Sequence, residues 1–116
     1  MTHLSDLAIY QRARAACVIA YRTAGTFRDS DLRDQIRRAA TSVVLNIAEG
    51  RGRGSDADFA RCLTIARGSN SELSAQITIA VDIGLIDHNG EITTLMSELD
   101  QIGRMISALI RRLRGR

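Results

Sequence analysis

Apolar residues recur at steps of three and four along four segments of the chain, and no segment shows the strict alternation of a strand. The most regular run is the last. Ile92, Leu95, Leu99, Ile102, Ile106, Leu109 and Leu113 alternate steps of three and four, which is the seam of a helix packed within a bundle. It follows a turn around Asp87, Asn89 and Gly90. A third helix is predicted from Ser55, where Asp58 three residues on makes a variant of the capping box. It continues through Phe59, Leu63, Ala66, Leu73, Ile77 and Ala80 to Gly84. The second spans roughly residues 32–49, entered through Asp29, Ser30 or Asp31 as cap and closed by Gly50, with Leu32, Ile36, Ala39, Val43 and Ile47 inward. The first spans roughly residues 4–24, with Leu7, Tyr10, Cys17, Tyr21 and Ala24 as its stripe. Gly25 then suits the left-handed position that ends a helix.

These four segments predict an all-α, antiparallel up-down four-helix bundle forming one domain over residues 1–116. Two helices carry apolar surface beyond their main stripe. Ile9, Ala13, Ala16 and Ala20 make a second face on the first helix, and Met96, Gly103 and Ile110 broaden the arc of the fourth. A single neighbour does not cover so wide an arc, so these residues are expected to form a homo-oligomer contact. The bland alternative is that Ala is tolerated almost anywhere on a helix.

Composition sharpens the picture in three respects. Aromatic residues are 3% of the chain, so the core rests on aliphatics and Ala, and the absence of proline leaves glycine as the main helix breaker. Sixteen arginines and no lysine stand against thirteen acids, a formal net charge of +3, and arginine is the better bidentate partner for phosphate. Cys17 and Cys62 lie in apolar helical contexts without CxxC spacing, which reads as reduced thiols of a cytoplasmic protein. Neither a signal peptide nor a membrane span is expected.

Enzyme chemistry finds little to stand on. The two histidines, His3 and His88, lie near the terminus and in a turn, away from the Glu-x-x-His spacing of a bundle metal centre. No serine or cysteine has a plausible histidine partner, and no carboxylate pair separates an acid from a base. No metal, cofactor or catalytic residue is expected. The sequence favours binding instead.

Ser42, Asn46 and Glu49 line one edge of the second helix, and Ser69, Glu72 and Gln76 one edge of the third. Their spacing predicts a partly buried polar network that fixes helix register, with a ligand site as the less favoured reading. The connector Gly50-Arg51-Gly52-Arg53-Gly54-Ser55 follows a helix and lacks the Gly-Lys-Ser/Thr ending of a phosphate loop. It reads either as a flexible link or as a backbone contact for nucleic acid. Arg33, Arg37 and Arg38 form a second basic cluster, and Arg111, Arg112, Arg114 and Arg116 a third. The last has an ordinary explanation in the helix dipole, which favours cations at a C-terminus. Together the three clusters predict contact with RNA or DNA phosphates and little base preference, given so few aromatics to stack on bases.

The run Leu32-Arg33-Asp34-Gln35-Ile36-Arg37-Arg38-Ala39-Ala40-Thr41-Ser42, followed by Asn46-Ile47-Ala48-Glu49-Gly50-Arg51-Gly52-Arg53, closely resembles the four helix bundle protein family. That family includes proteins encoded in intervening sequences of 23S rRNA genes and relatives of the accessory variability determinant of diversity-generating retroelements. The likeness continues at Phe59, Ala66, Gly68-Ser69, Glu72, Gln76 and Ile102-Gly103-Arg104-Met105-Ile106. It implies an antiparallel four-helix protomer assembled in a homo-oligomeric ring, a pentamer, without known catalytic activity. For the accessory determinants it implies a basic surface that binds nucleic acid and a partner reverse transcriptase. Two positions depart from the family pattern: Val43-Val44-Leu45 replaces an Ile-Pro-Ser-like stretch, and Asn70 stands where leucine is usual, putting a polar group near the core.

Overall fold

A computed structural model describes residues 4–115 and the side chains from residue 8 onward. The Leu7 side chain and Arg116 therefore lie outside the described residues. The chain folds into α1 (Leu4–Ala24), α2 (Ser30–Gly52), α3 (Asp56–Asp82) and α4 (Gly90–Arg114). Each helix packs on its neighbour in sequence and α4 closes back on α1, so α1 and α3 lie diagonal, as do α2 and α4. The result is a rod of 45 × 24 × 18 Å with antiparallel neighbours throughout.

Side-chain caps set the starts of three helices. The carboxylate of Asp29 accepts from Leu32 N at 3.0 Å, the hydroxyl of Ser55 from Asp58 N at 3.1 Å, and the amide oxygen of Asn89 from Ile92 N at 3.0 Å. Each satisfies a backbone donor that the first helical turn leaves unpaired, a contribution of about 1 kcal/mol.

The helix ends depart from expectation at two glycines. Gly25 does not adopt the left-handed conformation, which among the described residues is confined to Gly54 and Gly84. The chain instead keeps turning after α1 through Thr26 N to Thr23 O and Phe27 N to Ala24 O, tucking Phe27 beneath the bundle end. Gly84 takes the left-handed role. Leu85 N donates to Ala80 O and Gly84 N to Val81 O, the paired bonds of a Schellman close. Gly50 does not stop α2, which runs on to Gly52. It is buried, and a Cβ there would lie 2.8 Å from Phe59 Cδ1 and 2.9 Å from Cys62 Cβ, so its role is close approach of α2 to α3.

The core confirms the α4 seam residue by residue, since all seven predicted positions are buried. It corrects α1. The buried face is Ile9, Ala13, Ala16, Ala20 and Ala24, while Tyr10 and Cys17 are half-buried and Tyr21 is exposed. The face expected to meet another subunit is thus the face packed inside the protomer. Small side chains let α1 sit close to its neighbours, and the larger tyrosines are displaced to its flanks. Ile110 is likewise a core residue at 3% exposure, whereas Met96 and Gly103 are half-buried at the α3–α4 seam. None of these seven residues presents an open apolar face.

Arg12 fastens α1 to α4. Its Nε and Nη2 donate to the two Glu98 carboxylate oxygens at 2.8 and 2.6 Å, Nη2 donates also to Gln101 Oε1 at 2.6 Å, and Nη1 approaches Met105 Sδ at 3.2 Å. The hydrogen bond from Arg12 holds the Glu98 carboxyl below its usual range, outweighing the opposing effect of desolvation. At the α1–α2 end, Arg37 stacks over the Tyr21 ring at 4.1 Å while its Nε donates to Tyr21 O.

Candidate nucleic-acid interface

The polar residues of the α2–α3 seam separate into two groups. Ser42 Oγ and Ser69 Oγ share a hydrogen bond of 2.8 Å across the seam, and Asn46 Nδ2 donates to Ser42 O at 2.9 Å and to Ser42 Oγ at 3.2 Å. Glu49 and Glu72 do not join them. Three residues advance a helix by about 300°, so Glu49 after Asn46 and Glu72 after Ser69 turn outward by about 60°. Both are exposed, and Glu49 pairs with Arg53 at 3.4 Å. Gln76, seven residues beyond Ser69, returns to the buried side, where its Oε1 finds no donor among the described residues. The predicted six-residue network is therefore a three-residue bridge with one isolated buried amide. The bridge fixes the register of α2 on α3.

Nine arginines were drawn from three stretches of sequence, and the fold gathers two of those stretches. α2 ends, α3 begins and α4 ends at one pole of the bundle, so Arg51 and Arg53 share that pole with Arg111, Arg112 and Arg114. A hydrogen bond of 3.5 Å from Arg114 Nη2 to Thr64 Oγ1 ties the tail to α3 there. Arg33, Arg37 and Arg38 sit toward the opposite end of α2, a helix about 34 Å long at 1.5 Å per residue. They do not form one surface with the loop and tail. Arg33 is turned to Asp34 at 3.3 Å and Arg37 is engaged by Tyr21, while Arg38 is exposed.

A groove along the α3–α4 seam extends the basic pole. It encloses about 590 Å³ and takes Arg67, Asn70, Ser71 and Ser74 from α3. From α4 it takes Asp100, Gly103, Arg104, Ser107 and Arg111, with Met96 and Leu99 as its apolar part. Arg67 Nη1 reaches Ser107 Oγ at 3.4 Å, and Arg104 Nε pairs with Asp100 Oδ2 at 3.1 Å. The Arg111 guanidinium has no ion-pair partner among the described residues. Asn70 is 4% exposed and donates from Nδ2 to Leu99 O at 2.8 Å, leaving Oδ1 without a donor. This polar group is thus buried and half-satisfied.

Neither Arg67 nor Arg104 is predicted by the sequence as a site residue, since each stands alone among its neighbours. A signal was present: Arg104, Ser107, Arg111 and Arg114 share one face of α4, and Arg67, Ser71 and Ser74 one face of α3. Among the described residues no group of three His, Cys, Asp or Glu side chains could hold a metal ion, and no helix is long and apolar enough to cross a membrane.

The sequence model describing 23S rRNA-intervening sequence proteins matches residues 5–108. The chain belongs to that family. A solved structure with the same architecture is that of a protein of unknown function from the S23 ribosomal protein family of Bacteroides thetaiotaomicron. The two superpose with a TM-score of 0.84 at 19% identity, covering 93% of this chain and 99% of the other. No curated protein matches the chain. The chain therefore shares a whole-length four-helix fold with that protein. The likeness carries the architecture alone, and the chemistry of the surface must be argued from its own residues.

Proposed function

We propose that this 23S rRNA-intervening sequence protein is a non-enzymatic, cytoplasmic accessory or scaffold that contacts the phosphate backbone of RNA or DNA and works as a homo-oligomeric ring, a pentamer by family resemblance. The observation that carries the nucleic-acid contact is the shared pole of Arg51, Arg53, Arg111, Arg112 and Arg114, where Gly52 and Gly54 let a phosphate approach the backbone closely. A ring would repeat that pole around its axis and raise effective affinity without new contacts. A protein partner such as a reverse transcriptase remains part of this reading. Arg33, Arg37 and Arg38 are a secondary patch, in which Arg33 and Arg37 are engaged by intramolecular contacts.

The test is fluorescence anisotropy with labelled RNA and DNA over a salt series. Binding that weakens steeply with salt, and a shallower slope in an Arg51→Gln, Arg53→Gln, Arg112→Gln, Arg114→Gln variant, supports backbone contact. No binding at low salt sinks it.

A second reading, a protein-interaction module without nucleic acid, is favoured by a different observation. Leu45 and Ile65 are 65% and 52% exposed. Each lies one turn from the Ser42–Ser69 bridge toward the α2–α3 connector, and Ile79 and Ile83 are exposed further along α3. With the α1 face internal, this outer α2–α3 surface is the better candidate for subunit contact. Light scattering of a Leu45→Glu, Ile65→Glu variant tests that surface. A fall to monomer mass supports the surface, and an unchanged oligomer removes it.

A further inference from the structure

We infer that the α3–α4 groove binds a phosphomonoester with a hydroxylated body, the chemistry of a nucleoside or sugar monophosphate. The charge in the groove is uneven. Arg104 is paired with Asp100, whereas Arg67 has only a long hydrogen bond to Ser107 and Arg111 has no acidic partner among the described residues. Two such guanidinium forks match the oxygens of a phosphate, which a serine hydroxyl does not replace.

Farther along the antiparallel pair the lining changes character. Ser71, Ser74 and Asp100 offer acceptors to hydroxyl groups, while Met96 and Leu99 offer an apolar contact to a ring face. Asn70 is the feature that bulk packing does not explain. Its side chain is buried at the groove with a carbonyl oxygen that is closed to solvent and that no donor satisfies, so a ligand hydroxyl would pair with it once the amide turns toward the groove. Gly103 lets the Asn70 amide lie close against α4, since a Cβ there would sit 3.3 Å from Asn70 Nδ2. The volume suits a small ligand. A continuous nucleic-acid strand fits less well, because the unpaired charge is confined to one end of the groove and the Asp100–Arg104 pair lies beyond it. This site shares Arg111 with the nucleic-acid pole but does not depend on that reading.

Isothermal titration of the full chain with adenosine monophosphate and with ribose 5-phosphate tests the site. Saturable binding of either probe is expected, weakened at least about tenfold by Arg67→Gln or Arg111→Gln and unchanged by Arg28→Gln, an exposed position between α1 and α2. Whichever probe binds tighter tells whether a base is recognised. Asn70→Leu supplies a variant that keeps the fold, since it replaces a half-satisfied buried amide with an apolar side chain. It is expected to raise the melting temperature of the free protein while weakening the probe. Absence of binding at millimolar probe overturns the inference, as does binding indifferent to both arginine variants. An oligonucleotide that binds through Arg67 and Arg111 while neither monophosphate does would assign the groove to the nucleic-acid backbone and overturn it too.

Discussion

α1 and α4 are neighbours of similar length that reach burial by opposite means. α4 turns Ile92, Leu95, Leu99, Ile102, Ile106, Leu109, Ile110 and Leu113 inward, whereas the buried face of α1 is Ile9 and four alanines. A large aliphatic stabilises by the surface it removes from water, so α4 contributes most of the hydrophobic driving force at their seam. An alanine removes little surface but permits close approach, so α1 depends on fit. One helix is held by area and the other by proximity.

The sharpest way to break that contrast is to exchange the strategies. Ile106→Ala empties a fully buried site on α4 and is expected to cost about 2–5 kcal/mol in chemical denaturation. Ala16→Leu overfills α1 instead, with an expected loss of about 1–3 kcal/mol. If the leucine were accepted without loss, α1 would have unused space and the proximity account would be wrong. A smaller effect comes from the polar clamp between the helices. Glu98→Gln removes the charge that Arg12 engages, and because both side chains are about a third exposed the loss should stay under about 1 kcal/mol.

The clamp also has a pH signature. Glu98 titrates below its unfolded value when folded, so its contribution is full above the ordinary carboxylate pKa of about 4.3 and is lost as pH falls through the folded value. The difference in melting temperature between wild type and Glu98→Gln should therefore be present at about pH 7 and shrink below about pH 4. A difference that survives in acid would mean the clamp acts through shape. Smallest of all, Val18→Thr on the exposed side of α1 should stay within about 0.5 kcal/mol.

The same contrast explains what was legible beforehand. α4 could be read because large aliphatic residues mark their face unambiguously, and the caps at Asp29, Ser55 and Asn89 because short polar side chains before an apolar run have a known geometric use. α1 was misread because tyrosine outweighs alanine in any sequence pattern, while the space between helices selects the smaller residue. At the site, Ser42, Asn46 and Ser69 could be placed on facing edges by spacing. Glu49 and Glu72 could not be excluded, since one helical step outward separates a buried edge from an exposed one. Arg67 and Arg104 needed the third dimension, because the groove exists only once α4 is laid antiparallel on α3. Local clusters of charge draw the eye along a sequence, and dispersed ones assemble only in space.

The stacking of Tyr21 beneath Arg37 has a spectroscopic consequence. The chain has no tryptophan, and both of its tyrosines, Tyr10 and Tyr21, lie on α1. Near-ultraviolet emission is thus an intrinsic reporter of one helix, while far-ultraviolet dichroism sums all four. During unfolding, emission that changes before the dichroism would record α1 leaving a bundle whose other three helices are still formed, and coincident curves would record a single cooperative unit.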